Sequence, residues 1–215
     1  MIEQPIAPQA DEITRMFTRA TGDYLFARWA RPIVPVVFGV DDQTLATVKA
    51  AVEAVVVLAG HRMAETDAEL GANLLVFFFR EWDELLQVPG LDQLVEALAE
   101  TVARLDAAQA NQYRAFRFDP DGAIRACFSF VRLDAVLQET PAETVALSIA
   151  TRAVLFWGDQ AFARTPALAE VNGVAVIHPA VALVIRAAYD PAMPNGADDA
   201  SHALRLAARV GRLTV

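Results

Sequence analysis

Residues 69–86 read ELGANLLVFFFREWDELL, and this stretch decides the fold. Its centre is a run of six apolar residues, Leu74 to Phe79, in which apolar and polar side chains do not alternate. A strand with one face in water would alternate, so a run that is apolar on both faces predicts a strand covered by protein on both sides. Asn73 and Arg80 mark the points where this strand enters and leaves the interior. The stretch therefore predicts a central strand between two layers.

Helices and one further strand are predicted around this central strand from the spacing of apolar residues and from turn formers. The predicted helices cover residues 11–30, 42–59, 81–86, 91–105, 143–157 and 179–189, and a last helix, capped by Asp198 or Asp199, ends near residue 210. A strand is predicted over 32–40, and Pro35 indicates a sheet edge or an unpaired side, because proline donates no ladder hydrogen bond. The segment that contains Gly158, Pro166 and Gly173 is predicted as a loop. These elements predict a single α+β domain over residues 1–215, in which a small mixed sheet with a β-hairpin packs against several helices.

The hairpin is predicted over residues 113–131, around the turn Asp119 to Gly122. Pairing Asp119 with Ala123 puts Arg117 directly opposite Arg125, and like charges in that position destabilise a strand pair. Either neighbouring carboxylates and solvent relieve the repulsion, or the two guanidinium groups hold an anion between them. Arg117 and Arg125 are therefore a candidate anion-binding site. If they form one, Arg125→Ala would abolish an anion-dependent rise in melting temperature.

Composition limits the classes of partner. The chain of 215 residues is 55% hydrophobic and carries a formal net charge of −9. The hydrophobic fraction fits an alanine- and valine-rich core, or an apolar surface covered by a second copy, which would make the protein a homodimer. The negative charge argues against nonspecific binding to nucleic acid or to anionic membranes, although it is compatible with a local basic patch. The sequence does not identify a partner protein.

The N-terminal residues MIEQPIAPQADEITR contain neither a basic region nor an apolar region of the signal-peptide kind, so a cytoplasmic location is expected. No segment is apolar over the length that a membrane span needs. Cys127 is the only cysteine, which excludes an intrachain disulfide and zinc sites built from several thiolates. Its place on a hairpin strand is typical of a buried structural thiol.

No catalytic motif emerges from the remaining residues. The three histidines lack the H-E-x-x-H spacing of zinc peptidases, and the expected places for them are solvated helix ends, turns and helix surfaces. A metal site would need the fold to bring His61, Glu65 and His178 together. None of the three serines lies in a G-x-S-x-G motif, and the chain has no glycine-rich phosphate loop. The sequence therefore predicts no catalytic residue and no cofactor.

One segment carries a family resemblance. Residues 184–210 read VIRAAYDPAMPNGADDASHALRLAARV, and the pattern I-R-x-x-Y-D-P-x-M-x-x-G before a final helix resembles the tail of a family of uncharacterised bacterial proteins. That family is often exported and is similar to minimal zincin-type metallopeptidases. The stretches RWARPIVPVVFGV (28–40) and GANLLVFFF (71–79) also resemble its first two strands. The resemblance spans about residues 25–210 and implies a zincin-like fold.

The chain departs from that family where the metal would bind. The segment ETVALSIATRAVLFWGDQ (143–160) stands in the place of the metal-binding helix, and its interior holds Ser148, Thr151 and Arg152 in place of a histidine or an inward carboxylate. Zinc hydrolysis needs such ligands and a general base. The helix is therefore predicted to serve only as core packing, and the protein to be a non-catalytic interaction or accessory domain, that is, a pseudoenzyme. The alternatives are a metal-dependent hydrolase or peptidase that uses His61, Glu65 and His178, and an anion-binding module.

Overall fold

The computed structural model describes residues 7–214, and its helices and strands are interspersed along the chain. The α-helices are α1 (Ala10–Met16), α2 (Asp42–Leu58), α3 (Leu91–Leu94), α4 (Leu98–Ala107), α5 (Ala135–Gln138), α6 (Ala142–Ala153), α7 (Pro179–Ala188) and α8 (Ser201–Leu213), and a 3-10 helix spans Trp82–Gln87. The strands are β1 (Phe26–Ala27), β2 (Pro35–Phe38), β3 (Leu74–Phe79), β4 (Gln112–Phe118), β5 (Ile124–Arg132), β6 (Leu168–Val171), β7 (Val174–Ile177) and β8 (Gly196–Ala197). Small sheets with a hairpin pack against helices, which confirms the α+β class.

A mixed four-stranded sheet of order β2-β3-β5-β4 lies at the centre of the fold. Strands β2, β3 and β5 are parallel, and β4 is antiparallel to β5. Strand β3 has a neighbour on each side and buries residues from both of its faces, as the apolar run predicts. Strand β2 lies at the sheet edge, as Pro35 predicts.

The sheet separates two apolar cores. The larger core lies between one face of the sheet and helices α1, α2, α6, α7 and α8, and includes Val76 and Cys127 from the strands. The smaller core lies between the other face and the 3-10 helix, α3 and α4, and includes Trp82 and Phe130. Both faces of β3 are thus covered, which explains why the run from Leu74 to Phe79 contains no polar residue.

Four aromatic residues lie side by side across the sheet on the face of the smaller core. Phe38, Phe77, Phe130 and Tyr113 are direct cross-strand partners on β2, β3, β5 and β4. Their ring centroids are 4.8, 5.3 and 6.2 Å apart in that order, and each pair of rings is nearly parallel. Since directly opposed side chains fix strand register, this aromatic row helps to align all four strands.

Helix α1 ends at Met16, so the prediction of a helix over residues 11–30 is wrong. The chain reverses instead, because Gly22 takes a positive φ of 94° and the amide of Arg19 donates to the carbonyl of Asp23 at 2.8 Å. The amide of Leu25 then donates to the carbonyl of Phe17 at 2.9 Å. This reversal places Arg19 on the surface of the fold beside residues 158–163.

Helix α6 ends at Ala153, four residues earlier than predicted. The amide of Phe156 donates to the carbonyl of Ala27 at 2.9 Å, which draws the chain out of helical geometry. At Gly158 two backbone segments of the chain approach closely, since a Cβ on this residue would lie 2.3 Å from the carbonyl oxygen of Thr18. The amide of Gly158 also donates to the carbonyl of Met16 at 2.7 Å. Phe156 and Trp157 therefore leave the helix and lie beside the turn that follows α1.

The predicted loop after Gly158 contains an antiparallel hairpin, β6–β7. Asn172 and Gly173 form its two-residue turn with φ values of 52° and 79°. Likewise, the predicted helix over residues 91–105 is divided into α3 and α4, and Ala97 has a φ of 49° at the break. None of the helices within residues 7–214 is both long and apolar enough to span a bilayer.

The β4–β5 turn forms as predicted, but the register beyond it differs. The amide of Asp119 donates to the carbonyl of Ala123 at 2.8 Å, and Phe118 pairs with Ile124. The ladder then shifts by one residue, so Arg117 pairs with Ala126. The predicted pairing of Arg117 with Arg125 is therefore wrong. Beyond a β-bulge of this kind, side chains that were expected to share one face of the sheet with their partners lie on the opposite face.

Candidate functional site

The structure does not bring Arg117 and Arg125 into one site. Arg125 forms an ion pair with Glu69. Arg117 instead donates to the carbonyl of Leu94 at 2.6 Å. Each guanidinium group thus has its own protein partner, and the bulge removes the geometry on which the predicted anion clamp depends.

The residues of the alternative metal site also remain apart. His61 Nε2 hydrogen-bonds to the carbonyl of Arg31 at 2.9 Å, and Glu65 is exposed. The ring of His178 accepts a hydrogen bond from the amide of Ala180 at the start of α7. Across residues 7–214, histidine, cysteine and carboxylate side chains form no group of three or more that is able to hold a metal ion.

Beside β4, at the edge of the sheet, lies a cavity of about 430 Å³, which we call the arginine cavity. Strand β4 contributes Arg114, α4 contributes Arg104, α6 contributes Arg152, and the turn after α1 contributes Arg19. Aromatic rings line the cavity between them: Tyr113, Phe116, Phe156, Trp157 and Phe162. The described wall thus carries four guanidinium groups and a single carboxylate, that of Asp159. It is a basic site on a chain with a net charge of −9.

Arg114 is partly buried in the wall of the arginine cavity. It lies two residues before Phe116, the cross-strand partner of Cys127, so it points to the face of the sheet that carries the larger core. Within residues 7–214 its guanidinium group has no hydrogen bond and no ion pair, and burial lowers the pKa of Arg114. Burial also raises the pKa of the neighbouring Cys127 thiol to about 12. The thiol is therefore neutral at pH 7 and does not offset the charge of Arg114.

Arg152 reaches the same cavity from α6. Its Nε donates to Ser148 Oγ at 3.3 Å, and its guanidinium carbon lies 4.5 Å from the centroid of the Phe162 ring. Burial, and then the positive charge of Arg114, lower the pKa of Arg152 to about 10. The group is still protonated at neutral pH, so two like charges share the wall. Helix α6 thus contributes Arg152 to the cavity wall in addition to its buried packing face.

The remaining two arginines of the cavity have partners. Arg19 forms an ion pair with Asp159 at 3.2 Å and lies 4.8 Å from the centroid of the Phe156 ring. Asp159 Oδ2 also accepts from the amide of Ala20 at 2.6 Å, so this carboxylate is fully engaged. Arg104 is exposed and lies over the Tyr113 ring at 5.8 Å. The uncompensated charge is thus concentrated at Arg114 and Arg152.

Outside the cavity, His202 is one of the buried polar residues and has a ring nitrogen without a partner within residues 7–214. Its Nδ1 lies 2.7 Å from the hydroxyl of Tyr24, and its Nε2 is buried without a partner within residues 7–214. Burial, and then the charges of Arg205 and Arg28, lower the pKa of His202 from 6.5 to about 4. The folded protein therefore favours the neutral ring.

The free energy of unfolding should fall as the pH decreases from 6.5 to 4, because over this range the unfolded chain binds a proton at His202 and the folded chain does not. The slope from this one group approaches about 1.4 kcal/mol per pH unit. Urea unfolding at several pH values would measure it. His202→Asn keeps an acceptor for Tyr24 and should flatten the curve, whereas the surface variant His178→Asn should keep the wild-type slope. Equal slopes in all three proteins would contradict the assignment.

The segment that carries the family resemblance has a structural role. Arg28 donates to Asn195 Oδ1 at 3.2 Å and to the carbonyl of Met193 at 2.8 Å, and the Tyr189 hydroxyl donates to the carbonyl of Val154 at 2.7 Å. These bonds hold the turn after α7 against the residue that follows β1, and the end of α7 against the end of α6.

Kinship with zincin-type proteins stays a prediction. No family model matches the chain, and no curated protein and no solved structure matches it either.

Proposed function

We propose that the protein binds an organic anion in the arginine cavity. The observation that carries the proposal is Arg114, whose partly buried guanidinium group has no hydrogen-bond or ion-pair partner among the described residues and lies close enough to Arg152 to lower the pKa of that group. A charge that is partly withdrawn from water and has no protein partner carries a desolvation cost. An anion that enters the cavity would supply the missing partner.

The chemistry of the wall supports binding of an anion over bond cleavage. Guanidinium groups present several donors in a fixed plane and bind carboxylates and phosphates in a bidentate manner. Asp159, the carboxylate of the described wall, is already paired with Arg19 and with a backbone amide. The aromatic residues provide an apolar surface for the body of a ligand, and a volume of about 430 Å³ suits a small molecule. This proposal replaces Arg117 and Arg125 with Arg114 and Arg152 as the anion-binding pair.

A thermal-shift experiment would test the proposal. The melting temperature of the full chain would be measured with benzoate, phthalate and phenyl phosphate at increasing concentration. A ligand that binds only the folded state stabilises it by about 2.7 kcal/mol at one hundred times its Kd. For a chain of this size we expect a rise of roughly 5–10 °C.

Two variants make the test specific. Arg152→Gln should abolish most of the rise, because it removes one of the two uncompensated charges in the wall. Arg117→Gln is the matched control, since Arg117 is an exposed residue on β4 whose partner is the carbonyl of Leu94. It should respond to anions as the wild type does. If no anion raises the melting temperature, or if both variants respond equally, the protein does not bind anions in this cavity.

A further inference from the structure

The distribution of charge in the arginine cavity indicates which kind of anion it would take, and this inference rests on the function proposed above. Arg19 already has Asp159, and Arg104 lies at the exposed rim. The guanidinium groups of Arg114 and Arg152 are partly buried in the wall, and neither has a carboxylate partner within residues 7–214. A monoanion would neutralise one of them and leave the other. A headgroup with two negative charges would neutralise both and also remove their mutual repulsion.

A phosphate monoester has the required charge and geometry. It carries a charge of about −1.5 to −2 at pH 7 and offers three acceptor oxygens. Two planar guanidinium groups that approach from different elements, β4 and α6, are able to bind different pairs of these oxygens. A phosphate group alone, however, would fill only part of a cavity of about 430 Å³.

The rest of the wall favours a flat ring as the body of the ligand. Arg19 and Arg152 each lie over an aromatic face, at 4.8 Å from the Phe156 centroid and 4.5 Å from the Phe162 centroid. Aromatic rings and guanidinium groups each make favourable stacking or cation–π contacts with a planar group. We propose that the ligand of the arginine cavity is a phosphate monoester of an aromatic or heteroaromatic group.

Isothermal titration of the full chain with three small probes would test this proposal. Phenyl phosphate is the expected ligand type, phenyl sulfate has the same ring and a single charge, and glycerol phosphate has the same headgroup without a ring. We expect phenyl phosphate to bind at least about tenfold more tightly than either of the others, since a lost charge-assisted contact (phenyl sulfate) or a lost stacked ring (glycerol phosphate) is worth that much or more. Equal binding of phenyl sulfate would overturn the dianion requirement and leave anion binding intact. Equal binding of glycerol phosphate would overturn the ring requirement. No binding of any probe would overturn the proposed function itself.

The pH dependence of binding provides a second readout that does not depend on a variant. The second pKa of a phosphate monoester is about 6, whereas a sulfate ester keeps a single charge throughout. Affinity for phenyl phosphate should therefore fall as the pH is lowered from 7.5 to 5, and affinity for phenyl sulfate should not.

In Arg152→Gln the ratio of phosphate to sulfate affinity should fall towards one, while Arg117→Gln should keep the wild-type ratio. A preference that persists unchanged in Arg152→Gln would contradict the pairing of Arg114 with Arg152 on one headgroup.

Discussion

Replacement of Arg114 by methionine should raise the stability of the ligand-free protein and abolish its response to anions. Methionine retains much of the apolar length of the arginine side chain and removes the charge. Because the charge is partly buried, has no hydrogen-bond or ion-pair partner within residues 7–214 and lies near Arg152, its removal relieves both a desolvation penalty and a repulsion. Replacement of buried ion pairs by apolar residues is often neutral or stabilises proteins by about 1–4 kcal/mol. We expect a gain at the lower end of that range, because Arg114 is in part solvent-accessible.

Urea unfolding and calorimetry would measure this gain, which corresponds to a rise in melting temperature of roughly 2–4 °C per kcal/mol for a chain of this size. Binding of phenyl phosphate would be measured on the same protein. Arg117→Met on the same strand is the control, and neither its stability nor its anion binding should follow the pattern of Arg114→Met. Loss of stability in Arg114→Met would show that the guanidinium group already has a favourable environment. The argument for a missing anionic partner would then fail.

Replacement of Phe130 by alanine should cause the largest loss of stability. Phe130 is 0% exposed on the inner strand β5, and its ring lies between those of Phe77 and Tyr113 in the aromatic row. Truncation of a buried phenylalanine to alanine costs about 3–5 kcal/mol, because apolar contacts are lost and a cavity remains. Since proteins are stable by only about 5–15 kcal/mol, this variant should be largely unfolded at moderate urea concentrations.

Phe38 provides a matched control within the same row. It occupies the edge strand β2, is 44% exposed and contacts the ring of Phe77 at 4.8 Å. Phe38→Ala should cost much less, because solvent already reaches that ring and takes the place of the removed atoms. Circular dichroism during urea titration would compare the two variants. If both variants lost the same free energy of unfolding, the difference in burial between Phe130 and Phe38 would not determine their contributions to stability.

The elements that the sequence predicts well are those decided by local patterns. The run from Leu74 to Phe79 has only one arrangement that keeps every side chain out of water, and it became the inner strand β3. Helix α2 likewise begins where the carboxylate of Asp41 accepts from the amide of Thr44 at 2.7 Å, and ends before Gly60, with a φ of 67°. Capping of this kind involves neighbouring residues and is visible without tertiary information.

The β6–β7 hairpin also had a local signal, because an Asn-Gly pair between apolar residues favours a two-residue turn. The signal is weak because both strands are short, with only four residues each.

By contrast, the register of β4 against β5 depends on one bulged residue. The turn residues Asp119 to Gly122 predict the turn itself but do not reveal the shift that follows it.

The arginine cavity was beyond prediction from the sequence for a different reason. Its guanidinium groups come from positions 19, 104, 114 and 152, which only the tertiary fold brings together. The one available hint was Arg152 within an apolar helical segment, where a charged residue without an obvious partner is unusual. That hint was interpreted as the absence of a metal ligand, although it marked the wall of a basic site.

The close approach at Gly158 links the shape of the backbone to the composition of the cavity. Any side chain at this position would meet the backbone of Thr18, and the two segments that would separate carry Arg19 on one side and Asp159 on the other. Substitution there would thus open the cavity wall without changing any of its four arginines. Among related sequences, we therefore expect glycine at 158 to covary with arginine at 114 and 152. Relatives without this glycine should also lack the proposed anion site.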